Sequence, residues 1–551
     1  MQEKSSFLSA ISSSFHKRPL TYILILAFVV RLIAVFFARG YMMHDDHFLT
    51  IEPSGSWAVG KNFNQWLPGI GNDNLQPEPI SFFYLGGLFL LFKLFIFLGI
   101  DTPETQMYLI RLVHALYSLL IVYYGYKITE LLSSKRQAIL AGLLLALLAI
   151  LPNFSVRNLV EIVCIPPILI GFYVLLKNVH FKTIQIGSQN IQAGSVLQTS
   201  TSNNPLKYVL FAAMLMGLAV GIRYQTGLLV ALVGLVLLIH HSFKYAFLFG
   251  IVSFSAFFIT QIDDILLWGG EPFQHLKGYF EYNKKNASNY PGSPLAYLSF
   301  ITGFILPPIS LFLAAGFLRS WKKQLLVVLP VLGFVLFHLL YPNRQERFIL
   351  PALPFVVIIG VIGWYELIQT STFWKKRPKI LHASWIFFWT LNTVGMLTLC
   401  FTYSKKSRVE AMCYLHDQGD CRNFALEFTH SDGGAMMPQF YSGTWTSYFY
   451  WHKGDDPIAH ILNMQHDEEV SRSNMMPRLE PNYYLFYDDE LLEERVNRIR
   501  KHYPSLSYQK TIESGWFDEL LHFLNPKNSL EKIHIYKIPD LVPVSEIEPY
   551  E

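Results

Sequence analysis

Through roughly the first 400 residues, long apolar runs alternate with short polar breaks, and beyond residue 403 the long runs stop. A bilayer core needs about 20 mainly apolar residues per helix, fewer where a helix is short or buried in protein. Runs at 20–39, 107–131, 137–152, 159–177, 207–222, 226–241, 244–262, 299–318, 323–341, 347–366 and 381–402 therefore predict eleven membrane-spanning helices. A further run, "ISFFYLGGLFLLFKLFIFLGI" at 80–100, is long enough either to cross or to lie along the surface. The stretch 183–206 is polar and predicts a mobile linker. From 403 to 551 charged and aromatic residues interleave and Pro and Gly punctuate short pieces, which predicts a small α/β domain. No internal repeat is visible.

Composition agrees with this pattern. Of 551 residues, 52% are hydrophobic and only 15% charged, which excludes an ordinary soluble protein and predicts a polytopic membrane protein. A net charge of +4, spread over short basic clusters, offers no nucleic-acid surface. Those clusters report topology instead, because Lys and Arg resist translocation from the cytoplasm. If 80–100 does not cross, sixteen basic residues fall on inner loops and ten on outer ones. If it does cross, "SSKRQ", "LRSWKKQ" and "WKKRPK" all move outside. The count favours a juxtamembrane helix at 80–100, a cytoplasmic N-terminus (1–19), a membrane domain over 20–402 and an extracytoplasmic tail from 403. The first apolar run lacks a small-residue cleavage site and reads as an uncleaved anchor. Of the four cysteines, Cys413 and Cys421 are placed for a disulfide outside the cytoplasm, and no metal spacing appears.

This topology gathers the unusual polar residues on one face, on outer loops 40–106 and 263–298 and at helix ends. Just past the first run, "MMHDDHF" sets His44, Asp45, Asp46 and His47 together, with Glu52 close behind. A solvated acidic cap is the simpler account. Yet Phe48, Leu49, Ile51 and Trp57 follow, and a carboxylate held half-dry by such neighbours gains proton affinity and serves as a general base on a hydroxyl. Arg157, Arg223, Arg344 and Arg347 stand at outer helix ends. Singly each suits lipid headgroups; together, their forked guanidinium groups match a phosphate or diphosphate. Glu161, four residues after Arg157, is placed to neutralise or orient it as an i,i+4 pair. Arg31, inside the first run, must find partners within the bundle. The loop 263–298 is aromatic and glycine-bearing, as a lid over a membrane-facing cleft would be. Two histidines around two aspartates are weak spacing for a metal, and neither metal nor cofactor is expected.

Several segments together resemble the Alg9-like and PIG-B-like mannosyltransferases, glycosyltransferases of the GT-C fold class. "MHDDHFLTIE" is similar to their His-Pro-Asp-Glu-Tyr-Phe-Gln pattern and later Glu. "MYLIRLVHALYSLLIVYYGYKI", "SVRNLVE", "GIRYQTGLL", "IDDILLWGGEPFQHLKGYFEYN...YPGSPLAYLSF" and "NRQERFILPALPF" resemble later segments, in family order, over roughly 20–370. The chain departs from the pattern with Met43 and His44 in place of His-Pro, and with Asn343, Arg344 and Gln345 in place of His-Lys-Glu.

The resemblance implies inverting transfer of a sugar, mannose first, from a polyprenyl-phosphate donor to a glycan, lipid or protein acceptor on the extracytoplasmic face. It implies Asp45 as base with Asp46 beside it, and Arg347, Arg344, Arg223 and Arg157 on the donor phosphate. His44, Glu52, Glu161, Tyr282, Asn283 and Glu346 would orient substrates. The compartment would be the bacterial periplasm or the endoplasmic-reticulum lumen. Two other classes fit the same architecture: a transporter or flippase of lipid-linked saccharides, and a non-catalytic scaffold of GT-C type.

Overall fold

The computed structural model describes residues 17–64, 66–68, 78, 80–186, 188–194, 204–287, 295, 297, 305–428, 436–445, 448–466, 479–526, 528 and 530–539. Among the described residues, seven helices are long and apolar enough to cross a membrane: Pro19–Phe37, Pro103–Leu132, Val160–Asn178, Pro205–Ile222, Phe243–Leu266, Glu346–Thr370 and Pro378–Cys400. Phe82–Phe97, Thr226–His240 and Leu325–Leu340 are shorter apolar helices. The expected run 137–152 is split into Lys135–Leu147 and Ile150–Phe154, and Ile309–Arg319 is the described helix within 299–318.

Contacts divide the chain into two units. The first takes the residues up to Phe36, Glu78–Tyr84 and Arg111–Phe401; the second takes Phe37–Pro77, Leu85–Ile110 and the chain from Thr402. In the first unit small residues let helices approach closely, as bilayer packing favours where no hydrophobic drive separates helix from lipid. A Cβ added to Gly360 would come within 2.7 Å of the Leu313 carbonyl oxygen, so Ile309–Arg319 and Leu353–Thr370 touch backbone to backbone. Arg31 is fully buried, as its mid-helix position required, and is satisfied inside the bundle. It donates to Ser118 Oγ at 2.9 Å and to the carbonyls of Ala146 at 3.2 Å and Leu145 at 3.4 Å.

The stretch 183–206 departs from the expected linker. Ile184–Ile186 and Gln189–Ile191 form an antiparallel hairpin. Its outgoing arm hydrogen-bonds the start of the helix Leu325–Leu340: Gln192 N–H to Lys322 O at 2.7 Å and Leu326 N–H to Ala193 O at 2.9 Å. Main-chain pairing supplies the order that side-chain polarity conceals; residues 195–203 lie outside the described residues.

The second unit carries a five-stranded sheet in the order Phe449–His452, Phe424–Phe428, Tyr483–Tyr487, Ile533–Lys537, Ser507–Ile512. The first three strands run parallel and the last two pair antiparallel. Trp451, Tyr484, Phe486, Val496, Ile499 and Tyr536 fill its core. Arg495 is buried against Glu427, which also accepts from Trp451 Nε1 at 3.2 Å. Two residues beyond the first span, Arg39–Gly40 pairs in parallel with Tyr403–Ser404, three residues beyond the last. Cys413 and Cys421 are both free thiols, so the disulfide weighed above is not formed.

Candidate active site

The acidic loop belongs to the second unit. Its turn is built by Asp46, only 3% exposed, whose two carboxylate oxygens accept the N–H groups of Met42 and Met43, each at 3.3 Å. Thr50 Oγ1 donates to the Asp46 carbonyl at 2.9 Å and carries the turn into the helix Ile51–Ala58. With Asp46 spent on the backbone, Asp45 is the member presented outward, its side chain 45% exposed and 3.8 Å from His44 Nδ1. His44 also reaches the Met436 sulfur, at 3.1 Å.

His47 and Glu52 pair with each other inside the unit. His47 Nε2 lies 2.9 Å from Glu52 Oε1, which also accepts the Phe440 N–H at 3.0 Å, and both side chains are buried. The His47 ring stacks between Tyr41 and Tyr441, with centroids 5.3 and 5.5 Å away. Glu52, expected to orient substrate, thus ties the loop to residues 439–441 of its own unit. The helix Ile51–Ala58 also borders a cavity of about 530 Å³ within this unit, whose lining includes Lys61, Asp101, Gln106, His416, Ser442 and Trp445.

The arginines form a separate centre in the first unit. Here the sequence reading needs a correction: Arg157 and Glu161 do not share a helical face, because the chain leaves the helix after Phe154 and re-enters one only at Val160. Glu161 is paired instead with Arg223, which donates from Nη1 at 2.7 Å, and with Arg347, whose Nε is 3.5 Å away. All four side chains are buried. The guanidinium groups of Arg223 and Arg347 also lie over the Phe348 ring, 5.2 and 5.7 Å from its centroid. Among the described residues, Arg223 Nε and Nη2 have no hydrogen-bond partner although both atoms are buried. Arg344, just before the helical turn that starts at Glu346, donates to the Leu339 carbonyl at 3.0 Å, and Glu346 is exposed.

The region 263–298 is largely helical where described, with Asp263–Leu266 and Gln274–Asn286; most of 288–304 lies outside the described residues. Tyr282 is exposed, and Asn283 donates to the Tyr279 carbonyl at 2.8 Å. Tyr279 itself was not singled out from the sequence, yet it is the residue that reaches the centre. Its hydroxyl accepts from Gln225, its ring lies 5.3 Å from Tyr224, and burial raises its phenol above the ordinary value while Arg223 pulls the other way. Helical spacing carried the signal, since Tyr279 precedes Asn283 by one turn. Tyr297 is buried nearby: burial pushes its phenol up to about 12, against the pull of Arg223 and Arg344.

A second unanticipated cluster joins Asp263, Asp264 and His275, with donor atoms within 4.8 Å of one another, a spacing a metal ion accepts. Asp264 and His275 Nδ1 are in direct contact, the arrangement of an ion pair that closes the 263–275 loop, and Phe82 and Trp268 pack on the imidazole. The histidines named from sequence, His44 and His47, take no part in it.

A sequence profile of the Alg9-like mannosyltransferase family matches residues 22–430. The chain belongs to that family. As a member it is an integral-membrane glycosyltransferase, which decides against the transporter and scaffold readings. ArnT from Cupriavidus metallidurans bound to undecaprenyl phosphate superposes with a TM-score of 0.53 at 12% identity, over 94% of this chain and 98% of that one. Its apo form gives 0.54 at 11% identity, over 95% and 98%. At such identities the likeness establishes the fold alone, and the family member has the GT-C fold with an added C-terminal sheet. The Archaeoglobus fulgidus oligosaccharyltransferase in its apo form is fainter, with a TM-score of 0.46 at 10% identity over 96% and 76%. No individually curated protein matches in sequence.

Proposed function

We propose that this glycosyltransferase moves mannose, with inversion, from a polyprenyl-phosphate donor to an acceptor hydroxyl on the extracytoplasmic side of its membrane. Asp45 takes the hydroxyl proton as the oxygen attacks the anomeric carbon. The bond from that carbon to the phosphate oxygen breaks, and polyprenyl phosphate departs with the electron pair. Arg223 and Arg347, supported by Arg344 and Arg157, hold the phosphate and offset the charge that develops on it. Asp46 fixes the turn that presents the base, and His44 flanks it. Tyr282, Asn283 and Glu346 are assigned to sugar contacts, and Glu161 to holding the two central arginines in place. The cavity beside Ile51–Ala58, with Trp445 and several polar groups in its lining, is assigned to the acceptor.

One observation carries the reading: a buried guanidinium whose remaining N–H donors have no partner among the described residues is costly unless a ligand completes it, and an anion completes it best. The binding of undecaprenyl phosphate by ArnT, a protein of the same fold, supports a lipid-phosphate donor here. The test is transfer by the full chain in nanodiscs, from polyprenyl-phosphate mannose carrying a labelled sugar. Labelled acceptor together with released polyprenyl phosphate supports the proposal. Movement of intact donor across the bilayer without its cleavage would overturn it.

A further inference from the structure

The helix Trp516–Leu524 leaves much of its apolar arc uncovered. At 3.6 residues per turn, Trp516, Phe517, Leu520, Leu521, Phe523 and Leu524 cover an arc of about 160°, while Asp518, Glu519 and His522 occupy the opposite side. In a helix laid on a soluble domain the apolar arc would face the domain. Here none of the nine residues is buried, and Phe523 and Leu524 are 82% and 69% exposed. The polar side makes the internal bonds: Asp518 accepts backbone N–H groups of Lys405 and Lys406, Ser514 Oγ donates to Glu519 at 3.2 Å, and His522 Nδ1 meets the Asn528 carbonyl.

The attachment point decides what covers the outward face. Glu531, at the far end of the segment, binds Arg408 at 2.6 Å and Lys405 at 3.1 Å, so 515–531 is fastened at both ends to residues 405–408. That stretch begins five residues after the last span ends at Cys400, and adjoining Tyr403–Ser404 pairs with Arg39–Gly40, two residues past the first span. At about 3.5 Å per residue the chain cannot carry this anchor further than roughly 20 Å from the bilayer edge. A tryptophan at one end of the arc is the side chain that favours the headgroup level.

We infer that Trp516–Leu524 lies in the membrane interface as a monotopic anchor, its Phe523–Leu524 edge inserted among the lipid headgroups and upper acyl chains. Continuity with two span exits favours lipid over a protein partner. The inference is independent of the transfer chemistry and of which leaflet the unit faces.

The test uses the full chain in nanodiscs of phosphatidylcholine and phosphatidylglycerol. Phe523→Cys and, for comparison, Tyr508→Cys on the exposed strand Ser507–Ile512 are spin-labelled, with the signal of the labelled parent chain subtracted. Collision with oxygen, which partitions into lipid, relative to a water-soluble nickel chelate is expected to be severalfold higher at 523 than at 508. Equal ratios would place the helix in water and overturn the inference. Shielding of 523 from both reagents would mean cover by protein, a second copy included, and would overturn it equally. Leu524→Cys repeats the measurement at the neighbouring position, so one poorly folded variant does not decide the outcome.

Discussion

The acidic loop and the arginine centre treat buried charge in opposite ways. In the loop every buried acid has work inside the fold: Asp46 holds two backbone N–H groups, and Glu52 holds His47 and Phe440. Only Asp45 is turned outward. In the centre the acid, Glu161, is shared by two arginines, and Arg223 keeps buried donors that no described residue receives. In the loop the buried carboxylates meet donors of their own unit through Asp46 and Glu52 Oε1, with only the acceptor Glu52 Oε2 left over among the described residues, whereas in the centre the atoms left over are the donors of Arg223. Under the proposed transfer the loop supplies the base and the centre holds the leaving group.

The contrast breaks most directly at Asp45. Asp45→Asn is expected to lower transfer by about 1,000-fold while leaving thermal unfolding unchanged; a fully active variant would remove Asp45 as the base. Arg223→Ala is expected to cost about 100- to 1,000-fold in kcat/KM, with Arg223→Lys intermediate because an ammonium restores charge without the fork. A loss that does not depend on donor concentration would argue that Arg223 serves packing alone.

Within the loop the contrast predicts a stability effect in place of a catalytic one. Glu52→Gln should destabilise the protein by about 1–3 kcal/mol, because the His47 and Phe440 donors lose a charged acceptor. The measurement is the apparent Tm of the full chain, with transfer per folded molecule retained near the parent value. The smallest effect expected is one of pH. Burial raises the Glu531 carboxyl, but Arg408 and Lys405 outweigh it and leave it below the usual range. A carboxylate depressed in the folded state stabilises above its unfolded pKa, and that contribution is lost as pH falls through the folded value. Acidification below about pH 4 should therefore lower the apparent Tm more in the parent than in Glu531→Gln.

The apolar architecture was legible in the sequence because spanning helices need long unbroken runs, and Arg31 was legible because a charge inside one must be paired. Less visible were features that depend on where a helix pauses. Nothing in "SVRNLVE" announces that 155–159 leaves the helix, so the spacing of Arg157 and Glu161 suggested a pair that the backbone does not make. The hairpin at 184–191 was hidden because its order comes from main-chain bonds. Tyr279 was hidden because its place depends on Gln225, which is 54 residues away along the chain. Residue type and spacing alone do not separate Asp45 from Asp46; the resemblance points to Asp45 as base, and the hydrogen bonds of the turn show Asp46 spent on the backbone.

The short pairing of Arg39–Gly40 with Tyr403–Ser404, and of Glu52 with Phe440, also bears on biosynthesis. The loop that carries Asp45 is made early, yet its clasp is made some 360 residues later. At about 5–20 residues per second the ribosome leaves that loop unfastened for roughly 20 to 70 s. During that interval the nascent chain can insert its spans before Arg39–Gly40 and Glu52 meet their later partners, while the local bonds of the Asp46 turn need none of them. The C-terminal region therefore closes over the first outer loop only after every membrane helix has been made.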